Sequence, residues 1–158
     1  MPSRPDDERH LLTAIDLARR ARDKGNHPFG ALLVDERGSV LLEDENTAVA
    51  GGDRIGHAEI NLVRTACARF EPELLQGCTL YASTEPCAMC AGAIYWSGIA
   101  RVVFALSSAS LGDVLSDEVR ASTLALSCRD VFARGGRRVE VEGPMLEEQA
   151  LEVHQGFW

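Results

Sequence analysis

Four side chains in two short segments could hold a metal ion and do chemistry with it. They are His57 and Glu59 in His57-Ala58-Glu59, and Cys87 and Cys90 in Pro86-Cys87-Ala88-Met89-Cys90. Imidazole nitrogen and thiolate sulfur are the donors Zn²⁺ prefers, in tetrahedral geometry. A structural zinc site closes all four positions with protein, whereas His57, Cys87 and Cys90 supply three and leave a fourth for water. Such a water loses its proton near neutral pH, and the Glu59 carboxylate is placed to take it. A lone histidine is usually a surface or core residue, and a lone Cys-x-x-C can be redox-active or incidental. The conjunction in this order points strongly to a zinc site, with Glu59 beside it as the candidate acid and base.

The elements that must carry these residues are legible from periodicity. Leu11, Ile15, Ala18 and Ala21 recur at helical spacing, which predicts a helix over about residues 6–24, capped by Asp6 or Asp7 and ended by Gly25. Ala31–Val34 and Ser39–Leu42 read as strands joined by a turn at Asp35-Glu36-Arg37-Gly38. Residues 46–56 read as a loop. Helices are expected from His57 to about Arg69 and from about Cys87 to Gly98, so both metal-bearing segments open a helix. Helix N-termini favour thiolates, which would assist Cys87 and Cys90. Two residues apart, His57 and Glu59 cannot share a helix face, but at a first turn both can reach one cavity. Strands are expected at residues 79–83, 102–106 and 138–142, one helix over about Ser116–Ala133, and a last helix from Leu146 to His154. Strand and helix alternation from residue 57 onward favours a layered α/β domain with parallel pairing in its second half.

Around these motifs the chain resembles the cytidine and deoxycytidylate deaminase-like superfamily, from about Leu12 to Val141. The resemblance rests on Pro28-Phe29-Gly30-Ala31, Asn46, His57-Ala58-Glu59-Ile60, Thr84-Glu85-Pro86-Cys87-Ala88-Met89-Cys90 and Gly92-Ala93-Ile94-Tyr95-Trp96. Within the superfamily it is most similar to the bacterial guanine deaminase and nucleobase deaminase group. That resemblance implies a three-layer α/β/α fold with a five-stranded mixed sheet and a Zn²⁺ cofactor. It implies hydrolytic deamination of a free nucleobase, guanine before cytosine, with release of ammonia. Asn46 would hydrogen-bond the base, Phe29 and Trp96 would wall its pocket, and Phe157 and Trp158 would form a lid from the C-terminal tail. Family members usually pair, so a homodimer through the zinc-bearing helices is expected. Residues 107–135 do not follow the guanine deaminase pattern.

Composition sets the bounds. At 158 residues, 46% hydrophobic and 25% charged, the chain is expected to form a single globular domain over residues 1–158. Its N-terminus is polar and acidic, unlike a signal peptide, and no apolar stretch approaches the roughly 20 residues of a membrane helix, so the cytoplasm is expected. The formal net charge of -8 argues against a nucleic-acid partner, which ordinarily meets a basic face. Five cysteines, an odd number, argue against a disulfide framework. Cys67, Cys78 and Cys128 are expected to be buried as small apolar residues. Two rival readings stand beside the first. A tRNA-specific adenosine deaminase would apply the same chemistry to a flipped base. A non-catalytic zinc-containing binding module would need a fourth protein ligand and no Glu59.

Overall fold

The computed structural model describes residues 3–158. Its helices and strands run α1 (Asp7–Asp23), β1 (Gly30–Val34), β2 (Val40–Glu45), α2 (Ala58–Arg69), α3 (Pro72–Gln76), β3 (Thr79–Thr84), α4 (Ala88–Ser97) and β4 (Arg101–Leu106). They continue with α5 (Ser108–Gly112), α6 (Asp117–Ser122), α7 (Cys128–Ala133), β5 (Glu140–Glu142) and α8 (Glu147–Glu152). The strands form one mixed sheet in the order β2-β1-β3-β4-β5. β1 lies antiparallel to both β2 and β3, while β3, β4 and β5 are parallel. The three-layer α/β/α architecture is as expected. α1 and α8 cover one face through Leu11, Ile15, Ala18, Ala150 and Val153, and α2, α4 and α7 cover the other through Leu62, Ala66, Ile94 and Phe132.

Local chemistry explains the element ends. Asp35 Oδ1 accepts the N–H groups of Arg37 and Ser39, and Gly38 takes φ 87, which closes the β1–β2 turn. β2 runs three residues beyond the expected strand because Gly30 pairs with Glu45. Gly30 is required there: a Cβ would stand 2.5 Å from Ala14 O and from Leu17 Cβ, so α1 lies directly on β1. Gly98, at φ 87, ends α4 in the left-handed conformation. α1 is not capped by a side chain of Asp6. Asp7 turns inward instead, fully buried, and makes a bidentate pair with Arg101 at 2.9 and 2.8 Å while accepting from Tyr81 Oη at 2.7 Å. This pair fastens the start of α1 to β3 and β4.

The expected helix over Ser116–Ala133 is instead two short helices, α6 and α7, with a break between them, and α5 precedes both. Ser107, Ser116 and Ser127 each accept a backbone N–H three residues on, from Ser110, Val119 and Asp130, so each serine starts a new helix. β5 and α8 are shorter than expected. Leu146 takes φ 62 and delays the start of α8 to Glu147. Cys78 and Cys128 are buried as expected, but Cys67 is exposed: it lies on α2 outside the stripe formed by Leu62, Val63 and Ala66.

Candidate metal and catalytic site

The two metal-bearing segments leave the sheet side by side. β2 passes into the loop at 46–56 and then α2, and β3 passes through Glu85-Pro86 into α4. His57 and Cys87 hold the N-cap positions of α2 and α4, both with extended backbone (ψ 150 and ψ 171), so each helix begins on a ligand. The loop before His57 is held from both sides. Asn26 Oδ1 accepts from Val49 and Ala50, and Asn61 Nδ2 donates to Glu45 O at 3.0 Å and Thr47 Oγ1 at 2.9 Å. On the other segment, the Glu85 carboxylate accepts the N–H groups of Ser108 and Cys128, tying the α5–α7 region to the strand that leads to Cys87.

His57 Nδ1 lies 3.6 Å from Cys87 Sγ and 3.5 Å from Cys90 Sγ, and the three donor atoms fall within 4.8 Å of one another. Without a cation the group shares protons unevenly. Hydrogen bonds from Cys90 and then His57, acting against burial, bring Cys87 down to about 4. The same hydrogen bond with Cys87, together with burial, pushes Cys90 up strongly. Two thiolates cannot stand this close unless positive charge lies between them, and a divalent cation supplies it. The donor set is borderline-soft nitrogen and sulfur, and it fits Zn²⁺.

Glu59 is 6% exposed, and its Oε2 faces Cys90 Sγ at 3.7 Å, so the carboxyl sits beside the ligand cluster. Burial pushes Glu59 up to about 7. A carboxyl in that range can both hold and release a proton near neutrality.

The residues expected to contact substrate are not all together. Asn46 is buried at the end of β2. Its Oδ1 accepts from Ala48 N at 2.9 Å, and its own N–H donates to Phe29 O at 3.0 Å, which leaves the side-chain NH₂ as its unused donor. Phe29 packs on the α2 and α4 side of the core and meets the tail: its ring lies 5.3 Å from His154 and 6.1 Å from Trp158. Phe157 and Trp158 meet edge-to-face at 4.9 Å, and Arg22 holds the tail through Val153 O and Gln155 O. The tail thus docks on its own chain. Trp96 is elsewhere. It is 86% exposed on the outer face of α4, edge-on to Tyr95, and contributes no wall beside Phe29.

Two residues that sequence reasoning missed complete this region. His27 is half-buried against the rings of Phe157 and Trp158, and burial followed by the nearby His57 lowers its basicity. His154 is 2% exposed, accepts from Trp158 Nε1 at 3.0 Å, and is lowered to about 4 by burial. The readable signal was modest: four histidines in the chain, one just ahead of Pro28-Phe29 and one in the tail.

Comparison with known proteins agrees with this geometry. Residues 4–106 match the cytidine and deoxycytidylate deaminase zinc-binding region. A probable cytosine deaminase of Schizosaccharomyces pombe is 41% identical over 149 residues, 94% of this chain and 90% of that protein. A tRNA-specific adenosine deaminase of Haemophilus influenzae is 38% identical over 108 residues, 68% of this chain and 62% of that protein. Among solved structures, a guanine deaminase from Nitrosomonas europaea superposes with a TM-score of 0.76 at 26% identity, covering 97% of this chain and 84% of that one.

Proposed function

The chain belongs to the cytidine and deoxycytidylate deaminase zinc-binding family, a zinc-dependent hydrolase acting on C–N bonds, and we propose that its substrate is a free nucleobase or similar amino-heterocycle. The observation that carries the chemistry is the buried Glu59 carboxyl against the His57, Cys87 and Cys90 cluster. His57 Nδ1 and the two sulfurs would hold Zn²⁺, which supplies an activated water as nucleophile when bound. Glu59 would take one proton of that water at its carboxylate and deliver it to a ring nitrogen of the substrate, then take the second and pass it to the departing amine. The net reaction consumes one water and gives the oxo-heterocycle and ammonia. Asn46 offers its unused NH₂ to an acceptor on the ring, and Phe29 offers an apolar face.

Three observations support a free base over tRNA. Trp158 docks against Phe29 on the same chain, with Phe157 edge-on to Trp158, and the pair would act as a lid for a small planar ligand. The net charge of -8 is unfavourable for holding a polyanion. The Schizosaccharomyces pombe relative, named for cytosine, is matched over nearly its whole length. Guanine is placed first and cytosine second. The tRNA-specific adenosine deaminase of Haemophilus influenzae keeps the editing alternative in the test. The experiment is ammonia release from guanine, cytosine, adenine, their nucleosides and a tRNA anticodon stem-loop. Turnover of a free base is expected. Turnover of the stem-loop with no free base active overturns the substrate class.

A further inference from the structure

Two buried side-chain oxygens among the described residues lack a hydrogen-bond partner, Glu45 Oε2 and Thr84 Oγ1. Glu45 keeps an ion pair to Lys24 through its other oxygen. Thr84, 3% exposed, has no such compensation for its hydroxyl. A buried hydroxyl without a partner is costly, and native proteins keep few of them without a reason. The neighbouring residue shows the contrast: Ser83 points to the opposite face of β3 and accepts the Gly30 N–H at 3.0 Å.

Strand register gives the orphaned hydroxyl a place. The β1–β3 register ends with Ala31 opposite Ala82, and continuing it by two residues would set Phe29 opposite Thr84. Gly30 pairs with Glu45 across β1 and β2, so Phe29 also stands opposite Asn46, as the hydrogen bond from Asn46 N to Phe29 O shows. Directly opposed residues in antiparallel strands send their side chains to one face. That face is the one covered by α2 and α4, where Ala31, Leu33, Leu80 and Ala82 already pack. Asn46, Phe29 and Thr84 therefore form a row across three strands, polar at each end and aromatic in the middle. It lies at the end of the sheet from which Glu85 and Pro86 lead to Cys87.

We propose that Thr84 is a specificity-determining contact, its hydroxyl hydrogen-bonding a polar edge atom of the planar amino-heterocycle that lies over Phe29 and is met from the other side by Asn46. The proposal rests on the base-deaminase reading of the same site. A hydroxyl both donates and accepts, so it suits a ring nitrogen, an amino group or a carbonyl at that edge, and it disfavours a ligand presenting a methyl group there.

The test compares zinc-loaded wild type with Thr84→Val, which keeps the shape and removes the hydroxyl, and Thr84→Ser, which keeps the hydroxyl. Three quantities are measured: kcat and KM on the best base of the panel, the Kd of its deaminated product by calorimetry, and Tm without ligand. In Thr84→Val, KM and product Kd should rise about tenfold, a factor matching the net worth of one hydrogen bond. kcat should stay within about twofold. Its ligand-free Tm should be equal or higher, because a buried orphan has been removed. Thr84→Ser should retain wild-type binding. Unchanged KM and Kd in Thr84→Val overturn the proposal, and unchanged binding with a lowered Tm assigns the hydroxyl to the fold instead. Should the valine variant fail to fold, Thr84→Ala carries the same expectation and the same refutation. If wild type neither turns over nor binds any base, the deaminase reading fails first and takes this proposal with it. Base turnover with an indifferent Thr84→Val refutes the contact alone.

Discussion

At the residue scale the site was legible where chemistry constrains residue type and spacing together. His57, Glu59, Cys87 and Cys90 could be picked out because zinc restricts its donors and because each pair sits at a helix start. Trp96 could not be placed the same way. The segment Ala88–Trp96 is apolar all round its helix, so periodicity does not say which side meets the core. The structure buries Cys90, Ala91 and Ile94 and leaves Trp96 outside. Thr84 opens the second zinc motif but is given no role by it, and His27 carries no motif; only strand register and the folded tail bring them to notice. Glu59 gives the sharpest prediction at this scale. Glu59→Gln preserves shape and cannot shuttle protons, so it should fold, retain about one zinc per chain by metal analysis, and lose on the order of 10²–10⁴-fold in kcat. Near-normal turnover in this variant would show that the proton route runs elsewhere.

At the element scale the sheet and its two metal-bearing helices were readable from alternation, and residues 107–135 were not. Three serine caps at Ser107, Ser116 and Ser127 break that region into single turns, too short for a periodic stripe. The tail is similar: its glycine and two aromatics fit a docked end as well as a lid, and only the folded contacts with Phe29 and Arg22 place it on its own chain. Its docking should depend on pH. Burial holds His154 at about 4, below the ordinary histidine value of 6.5, so the folded tail favours the neutral ring that accepts from Trp158. The stability this contributes is complete above about pH 6.5 and is lost as pH falls toward 4. In a Trp96→Phe background, Trp158 fluorescence should therefore shift toward that of exposed tryptophan between pH 6.5 and 4, while far-ultraviolet dichroism stays native. His154→Phe should remove the shift. Deleting Gly156–Trp158 should reduce turnover and leave zinc content unchanged, and full activity in the truncated chain would dismiss the lid.

At the scale of the whole molecule two features tie distant parts together, and each can be tested. The buried pair of Asp7 and Arg101 joins the first helix to the central strands. Burial alone would raise the Asp7 carboxyl, but Arg101, the Arg4 backbone N–H and Tyr81 outweigh it and bring it to about 2, below the usual 3.8. The pair's contribution is present above about pH 4 and is lost as pH falls to about 2. Arg101→Met leaves Asp7 buried without its partner, so it should cost about 3–5 kcal/mol by chemical denaturation and raise the midpoint of acid unfolding. Asp7→Leu combined with Arg101→Met should cost less than Arg101→Met alone, because no charge is then stranded.

The second feature is the outer face of α4. Trp96 is 86% exposed there, and it borders a surface concavity lined by Cys67 of α2, Phe70 just after it and Leu75 of α3. An aromatic side chain buried from water contributes about 1.5–3 kcal/mol, and tryptophan is enriched among the few residues that dominate interfaces. Two-fold pairing is the commonest soluble assembly, and under such symmetry each copy's α4 would meet the same patch on the other. The expected state is a homodimer through the zinc-bearing helices with Trp96 at its centre. Sedimentation at micromolar concentration should give about twice the 17.1 kDa chain mass. Trp96→Glu should shift the protein to monomer, since a central hot-spot substitution costs about 2 kcal/mol or more. Zinc content and dichroism should not change, because the side chain makes few contacts within its own chain. A wild-type protein that sediments as a monomer at that concentration, or a Trp96→Glu variant that remains dimeric, would place the contact elsewhere or remove it.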